Sequence, residues 1–149
     1  MATIFFDLDG TLADLYGVPG WLSMLEAEDE TPYAIAKPLL NLSTLARYIN
    51  KARRNGYDIG IISWTSKGGS DEYNAKVFDA KCAWLGKHLP SVCWDSINIV
   101  DYGTPKENFA KSTDDILFDD EAKNRDNWTG IALDVDNIIG VLKMLSYNG

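Results

Sequence analysis

Apolar positions along the chain fall into two alternating patterns. Thr3 to Phe6 is an unbroken run, "TIFF", of the kind found in strands buried on both faces of a parallel sheet. From Leu39 to Arg54, Leu42, Leu45, Ala46 and Ile49 recur at helical spacing, and Asn55-Gly56 supplies a stop signal. "YDIGIIS", ending at Ser63, predicts a second strand, and Asp71 to Leu89 a second helix. Val77, Ala80, Cys82, Trp84 and Leu85 are expected on that helix's apolar side. "SINIV" reads as a third strand, and Pro105 to Lys111 as a short helix with proline in its first turn. "DILF" and "GIAL" predict a fourth and a fifth strand. A last helix runs from Asp136 to Leu145 with Ile138, Ile139, Val141, Leu142 and Leu145 on one face.

Strands alternating with helices imply a central parallel sheet covered on both faces. The expected fold is α/β, a doubly wound three-layer sandwich with about five parallel strands, filling 1–149 as one domain. In such folds ligands sit outside the carboxyl ends of the strands, so each strand end can be asked what chemistry it delivers.

The first strand runs into Asp7-Leu8-Asp9-Gly10-Thr11. Residues i and i+2 of an extended segment share a face, which puts both carboxylates within reach of one pocket. The second ends in Ser63-Trp64-Thr65-Ser66, and the third is followed by Lys106 near a helix start. The fourth ends in Asp119-Asp120-Glu121. Each feature has an ordinary explanation alone. Asp-Gly is a turn signal, a lone serine is a turn hydroxyl, and an acid pair can cap a helix. Their coincidence at four converging strand ends is what turns, caps and surface charges do not explain. Two other acidic motifs fail on spacing. A calcium loop starting at Asp7 or Asp134 would need glycine at its sixth position and glutamate at its twelfth. The chain has Leu12 and Val18, or Ile139 and Leu145, there. "SKGGS" lacks the spacing of a phosphate-binding loop.

The ordered set resembles the haloacid dehalogenase (HAD) superfamily. "FFDLDGTLAD" is similar to its first motif, DxDGT, and "IGIIS" to its second, a hydrophobic strand closed by serine or threonine. Lys106 in "GTPKENFAK" is similar to the third-motif lysine, and "DILFDDEAKNRDNW" to the acidic fourth motif. The resemblance implies a magnesium-dependent phosphatase in which Asp7 is the nucleophile, forming an aspartyl-phosphate. Asp9 would then protonate the leaving oxygen and later activate water. Ser63, Trp64 and Lys106 would bind the phosphoryl group, with Thr65 as an alternative to Ser63 and Lys111 as an alternative to Lys106. Lys106 is preferred because it stands nearer the third strand. Magnesium would be held by Asp7, Asp119 and the backbone carbonyl of Asp9, with Asp120 acting on it through a metal-bound water. An acid two residues after the nucleophile goes, in this superfamily, with phosphoryl transfer rather than carbon–halogen cleavage. Asp9 must carry a proton near neutral pH. Burial and the Asp7 charge push its pKa up, whereas magnesium and Lys106 oppose them.

Composition adds boundaries. With 14 Lys and Arg against 22 Asp and Glu the formal charge is -8, and no basic stripe appears. That argues against a nucleic-acid partner and suits a bound divalent cation. No apolar run is long enough for a membrane span, and no secretory signal is visible, so a cytoplasmic location is expected. Cys82 and Cys93 lack CxxC spacing and read as free thiols.

Residues 15–38 occupy the place where this superfamily inserts a cap. The insert is too short for a full helical cap but can hold one short helix, Gly20 to Glu28, and a loop. Trp21, Leu22, Met24 and Leu25 are then either a lid face over the pocket or packing against the sheet edge. An open site would suit a bulky substrate, or a partner subunit that completes the lid. The ending "ILFDDEAKNRDNW" is similar to deoxyribonucleotidase-like members, which points to a small phosphorylated substrate, first a nucleoside monophosphate. A phosphoprotein or a nucleic-acid end is the alternative substrate. A non-catalytic receiver domain is disfavoured, because its acid pair follows the first strand and its phosphorylated aspartate the third.

Overall fold

A computed structural model describes residues 2–147. Five strands form one sheet: β1 (Thr3–Phe6), β4 (Asp58–Trp64), β5 (Ser96–Val100), β6 (Ile116–Phe118) and β7 (Ile131–Leu133). Their order is β5-β4-β1-β6-β7 and every pairing is parallel. The chain builds outward from β1 to β4 and β5, then crosses to the other side for β6 and β7. β1 is therefore central, and the order reverses beside it.

Alternation along each strand divides the core between the two faces of the sheet. Ile4 and Phe6 of β1, Ile59 and Ile61 of β4, and Ile116 and Phe118 of β6 belong to one cluster. It also includes Leu45 and Ile49 from α3 (Leu42–Arg54), Trp84 and Leu85 from α4 (Asp71–His88), and Leu142 from α6 (Ile138–Tyr147). Phe5, Ile62 and Leu117 point the other way. There Trp128, just after α5 (Ala122–Asn127), and Phe109, in a 3-10 turn over Lys106–Phe109, cover them. The α/β architecture with helices on both faces is the one the alternating pattern predicts.

Boundaries differ where local polar chemistry intervenes. α3 begins three residues later than the apolar periodicity suggests, because the Asn41 side chain accepts from the Thr44 N–H and caps it there. The preceding segment is instead drawn into a two-stranded antiparallel ribbon, β2 (Ala13–Asp14) with β3 (Lys37–Pro38), which closes the base of the insert. The stop at Asn55-Gly56 forms with Gly56 at φ +101°. The 105–111 segment makes only the 3-10 turn, with Pro105 at its N-cap. The last helix starts at Ile138, after a 3-10 turn over Val135–Asn137. Within the insert the single expected helix is two: α1 (Trp21–Glu26) and α2 (Thr31–Ile35). The Asp29 carboxylate accepts from the Thr31 backbone and hydroxyl and separates them. Among the described residues, no helix is long and apolar enough to cross a membrane.

Candidate active site

The carboxyl ends of β5, β4, β1 and β6 open into one cavity of about 400 Å³. Asp7 leaves β1 while still in register, its N–H donating to the Phe118 carbonyl at 2.9 Å. The chain then turns sharply, with the N–H groups of Thr11, Leu12 and Ala13 all donating to the Leu8 carbonyl. Leu8 is buried in the core, while Asp7 and Asp9 both line the cavity. Gly10 adopts φ +79°, and a Cβ there would collide with the Asp120 carboxylate. The glycine of DxDGT thus lets Asp120 approach the turn.

The two aspartates are held by different lysines. Lys106 Nζ donates to Asp7 Oδ1 at 2.9 Å and to Asp119 Oδ2 at 2.7 Å, all three residues being buried. Lys111 is not in the cavity, and its backbone N–H donates to Asp115. Asp9 Oδ2 instead accepts at 2.7 Å from Lys81, a residue of α4 that is 1% exposed. Lys81 Nζ also donates to Ser63 Oγ at 2.7 Å and to the Trp64 carbonyl at 2.6 Å.

Sequence reasoning missed Lys81, although a signal was present. The buried residues of α4 include Val77, Ala80, Lys81, Trp84 and Leu85, which follow the i, i+3, i+4, i+7, i+8 spacing of a core-facing stripe. Lysine stands at a position where the stripe calls for an apolar side chain. Cys82, expected on this face, is only half-buried beside it. A buried lysine with no local partner on its own helix has to find acceptors across the fold.

Oxygens of Asp7, Asp119 and Asp120 lie within 4.8 Å of one another. Thr11 Oγ1 bridges two of these groups, donating to Asp7 Oδ2 at 3.2 Å or Asp120 Oδ1 at 3.4 Å. Asn124 of α5 and the Glu121 N–H both donate to Asp119, fixing its orientation. The clustering perturbs the acids. Burial and then the Asp7 charge push Asp120 up to about 8. Asp119 is raised by burial and Asp7 against the opposing pull of Lys106. Burial lowers the Lys106 ammonium, but Asp7 and Asp119 outweigh it and its pKa is raised. For Asp9 burial is the largest influence and prevails over Lys81, so its pKa is raised. Three oxygen donors that repel one another fit a hard divalent cation, whose charge would relieve that repulsion.

Beyond the acids the cavity is aromatic. Trp64 and Tyr102 pack with centroids 4.9 Å apart, and Tyr16 meets Trp21 edge-on at 5.0 Å. The Trp64 indole N–H donates to the Thr104 carbonyl at 2.8 Å, so its ring forms wall rather than a polar contact. Lys106 Nζ lies 5.2 Å from the centre of that ring. The hydroxyl of Thr65, also a lining residue, has no hydrogen-bond partner among the described residues. From the insert, Trp21, Leu22, Leu25 and Tyr33 line the cavity, whereas Met24 packs into the main core. The insert's apolar residues are divided between the two roles.

No family model matches the chain, and no curated protein matches it. Among solved structures, the D,D-heptose 1,7-bisphosphate phosphatase from Burkholderia thailandensis is similar, with a TM-score of 0.52. The identity is 13%, over 85% of this chain and 70% of that one, so the likeness is one of fold. The chain has the α/β, Rossmann-type core with a central parallel sheet that its alternating strands and helices lead one to expect.

Proposed function

We propose that the chain is a phosphomonoester phosphatase that uses a divalent cation, magnesium by the motif resemblance, and works through an aspartyl-phosphate on Asp7. The observation that carries this reading is the shared position of Lys106, bonded to Asp7 and Asp119 at the base of a cluster of three carboxylates. A phosphoryl dianion approaching a carboxylate must have its charge neutralised, and the cavity floor is built to do that.

Asp7, Asp119 and Asp120 would hold the cation, with the Asp9 carbonyl as a further ligand. When bound, it would neutralise charge on the phosphoryl oxygens. Lys106 supplies a fixed positive charge beside Asp7. Asp9, whose pKa burial raises, would give a proton to the leaving oxygen and, once the alcohol has left, take one from the attacking water. Ser63 lines the cavity and presents its hydroxyl to a phosphoryl oxygen, with Thr65 beside it. Trp64 contributes a ring wall at the phosphoryl end. Splitting hydrolysis into two displacements at a carboxylate lowers the barrier of a reaction that is otherwise among the slowest known.

The aromatic walls favour a leaving group with a flat, apolar face. Tyr16, Trp21 and Tyr102 add ring surfaces to the cavity beyond Trp64, which supports a nucleoside monophosphate as the substrate. A panel of nucleoside and sugar monophosphates, assayed with magnesium beside Asp7→Asn, tests both levels. Turnover that disappears in Asp7→Asn is expected. Turnover unchanged by that substitution, or by excess chelator, would overturn the mechanism. A preference for sugar phosphates would overturn the substrate alone.

A further inference from the structure

We propose that Lys81 is a positioning residue for the phosphoryl-transfer reaction, fixing the orientation of the Asp9 carboxyl group and of the Ser63 hydroxyl in the cavity. The inference rests on the phosphatase reading and concerns a residue outside the four sequence motifs.

An ammonium group has three N–H donors and no acceptor. All three of Lys81 are assigned: Asp9 Oδ2 at 2.7 Å, Ser63 Oγ at 2.7 Å and the Trp64 carbonyl at 2.6 Å. The side chain is 1% exposed, so no water competes for them. Tyr33 of α2 closes the remaining side, with its ring centre 5.0 Å from Nζ.

Two consequences follow from donor and acceptor counting. Asp9 Oδ2 accepts from Lys81, which orients the carboxyl group. Oδ1 makes no hydrogen bond to a described residue and is the oxygen left to face the leaving group. Ser63 Oγ accepts from Lys81, which leaves its own proton free to be donated. Among the described residues no acceptor takes it, so that donor is available to a phosphoryl oxygen in the cavity. One buried cation thus orients an acid and a donor whose chain positions lie far apart.

In the first step the Asp7 carboxylate forms the new O–P bond while the bond from phosphorus to the leaving oxygen breaks. The proton on Asp9 Oδ1 passes to that oxygen, which departs as an alcohol, and Asp9 is left as a carboxylate paired with Lys81. No other reactant is required. A lysine held against the newly formed carboxylate stabilises the state after proton transfer.

The dependence on leaving group separates positioning from simple structural support. Departure of 4-nitrophenolate needs little protonation, whereas departure of an alkoxide needs a great deal. Lys81→Met and Lys81→Gln are compared with wild type and Asp9→Asn on 4-nitrophenyl phosphate and on an alkyl phosphate, reading kcat/KM. Both substrates are assayed in the same sample, so loss of folded protein cancels in the ratio. For the alkyl ester Lys81→Met is expected to lose about 100-fold, within the range for general acid catalysis. For the nitrophenyl ester the loss is expected to be several-fold. Lys81→Gln, which keeps two N–H donors, should fall between. Adding Lys81→Met to Asp9→Asn should leave the ratio where Asp9→Asn put it. Equal losses on both esters, with Asp7→Asn inactive, would overturn the role of Lys81 and leave the phosphatase standing. Activity indifferent to Asp7→Asn would overturn both.

Discussion

Removing the cation shared by Asp7 and Asp119 should destabilise the protein through charge rather than through lost volume. Lys106→Met keeps most of the side chain's bulk and deletes the ammonium that lies 2.9 Å and 2.7 Å from the two carboxylates. Asp119 has no exposure and Asp7 very little, so neither can recover its hydration. Removing one partner of a buried pair typically costs about 3–5 kcal/mol. Two acids lose their cation here, which places the expected loss near the upper end of that range. For a chain of this size the loss converts to a fall in Tm of roughly 10–20 °C. The assay is thermal and urea unfolding in excess chelator. Lys106→Met/Asp119→Asn should be more stable than Lys106→Met alone, because it removes one of the stranded charges. Magnesium should narrow the deficit of the single variant. A loss below about 1 kcal/mol, or a double variant that falls by the sum of the singles, would refute the electrostatic reasoning.

Other outcomes follow from the same cluster and its supports. Burial and the Asp7 charge push the Asp120 pKa up to about 8 in the folded protein, from 3.8 for an ordinary aspartate. Between those values the folded state binds more protons than the unfolded one, so stability in chelator should fall as pH rises. The slope is at most about 1 kcal/mol per pH unit after allowing for its partial exposure, and urea titrations of Asp120→Asn should show it reduced. Gly10→Ala should lose about 1–2 kcal/mol from the left-handed backbone and displace Asp120. Calorimetric titration should show weakened magnesium binding. Asp115 accepts from the N–H groups of Thr3, Lys111 and Ser112. Burial raises its pKa, but these bonds outweigh it and leave the pKa lowered. Its contribution is therefore present above the ordinary carboxylate range and lost as pH falls below it. Asp115→Ala should cost about 2–3 kcal/mol at pH 7 in urea unfolding, and less at pH 3.

The sheet was open to sequence reading because its strands are short continuous apolar runs bounded by polar turns, and two of the five boundaries match residue for residue at β1 and β5. The acids and Lys106 were open to it because strand ends in this topology converge. Lys81 was not, because apolar periodicity assigns a core-facing position to Cys82 and gives a charged side chain no weight. The balance of charges on Asp9 was equally out of reach. It depends on a lysine from α4, 72 positions away in the chain. The second helix of the insert turns on the Asp29 carboxylate, which accepts from Thr31 at the start of that helix, a contact that propensity does not weigh.

The central place of β1 has a consequence for how the chain acquires its fold. β1 pairs on one side with β4 and on the other with β6, where Ile4 lies opposite Ile116. At about 5–20 residues per second, the strand that completes its second edge follows by roughly 6–20 s during synthesis. For that interval β1 is an apolar strand with at least one open edge, both until β4 has been made, and Asp7 lacks Asp119 and the strand that carries it. Such a high contact order favours late, cooperative closure of the sheet. Asp119 and Asp120 can join Asp7 only once β6 has paired, and a chain stalled before β6 holds an exposed edge available to other unfolded chains.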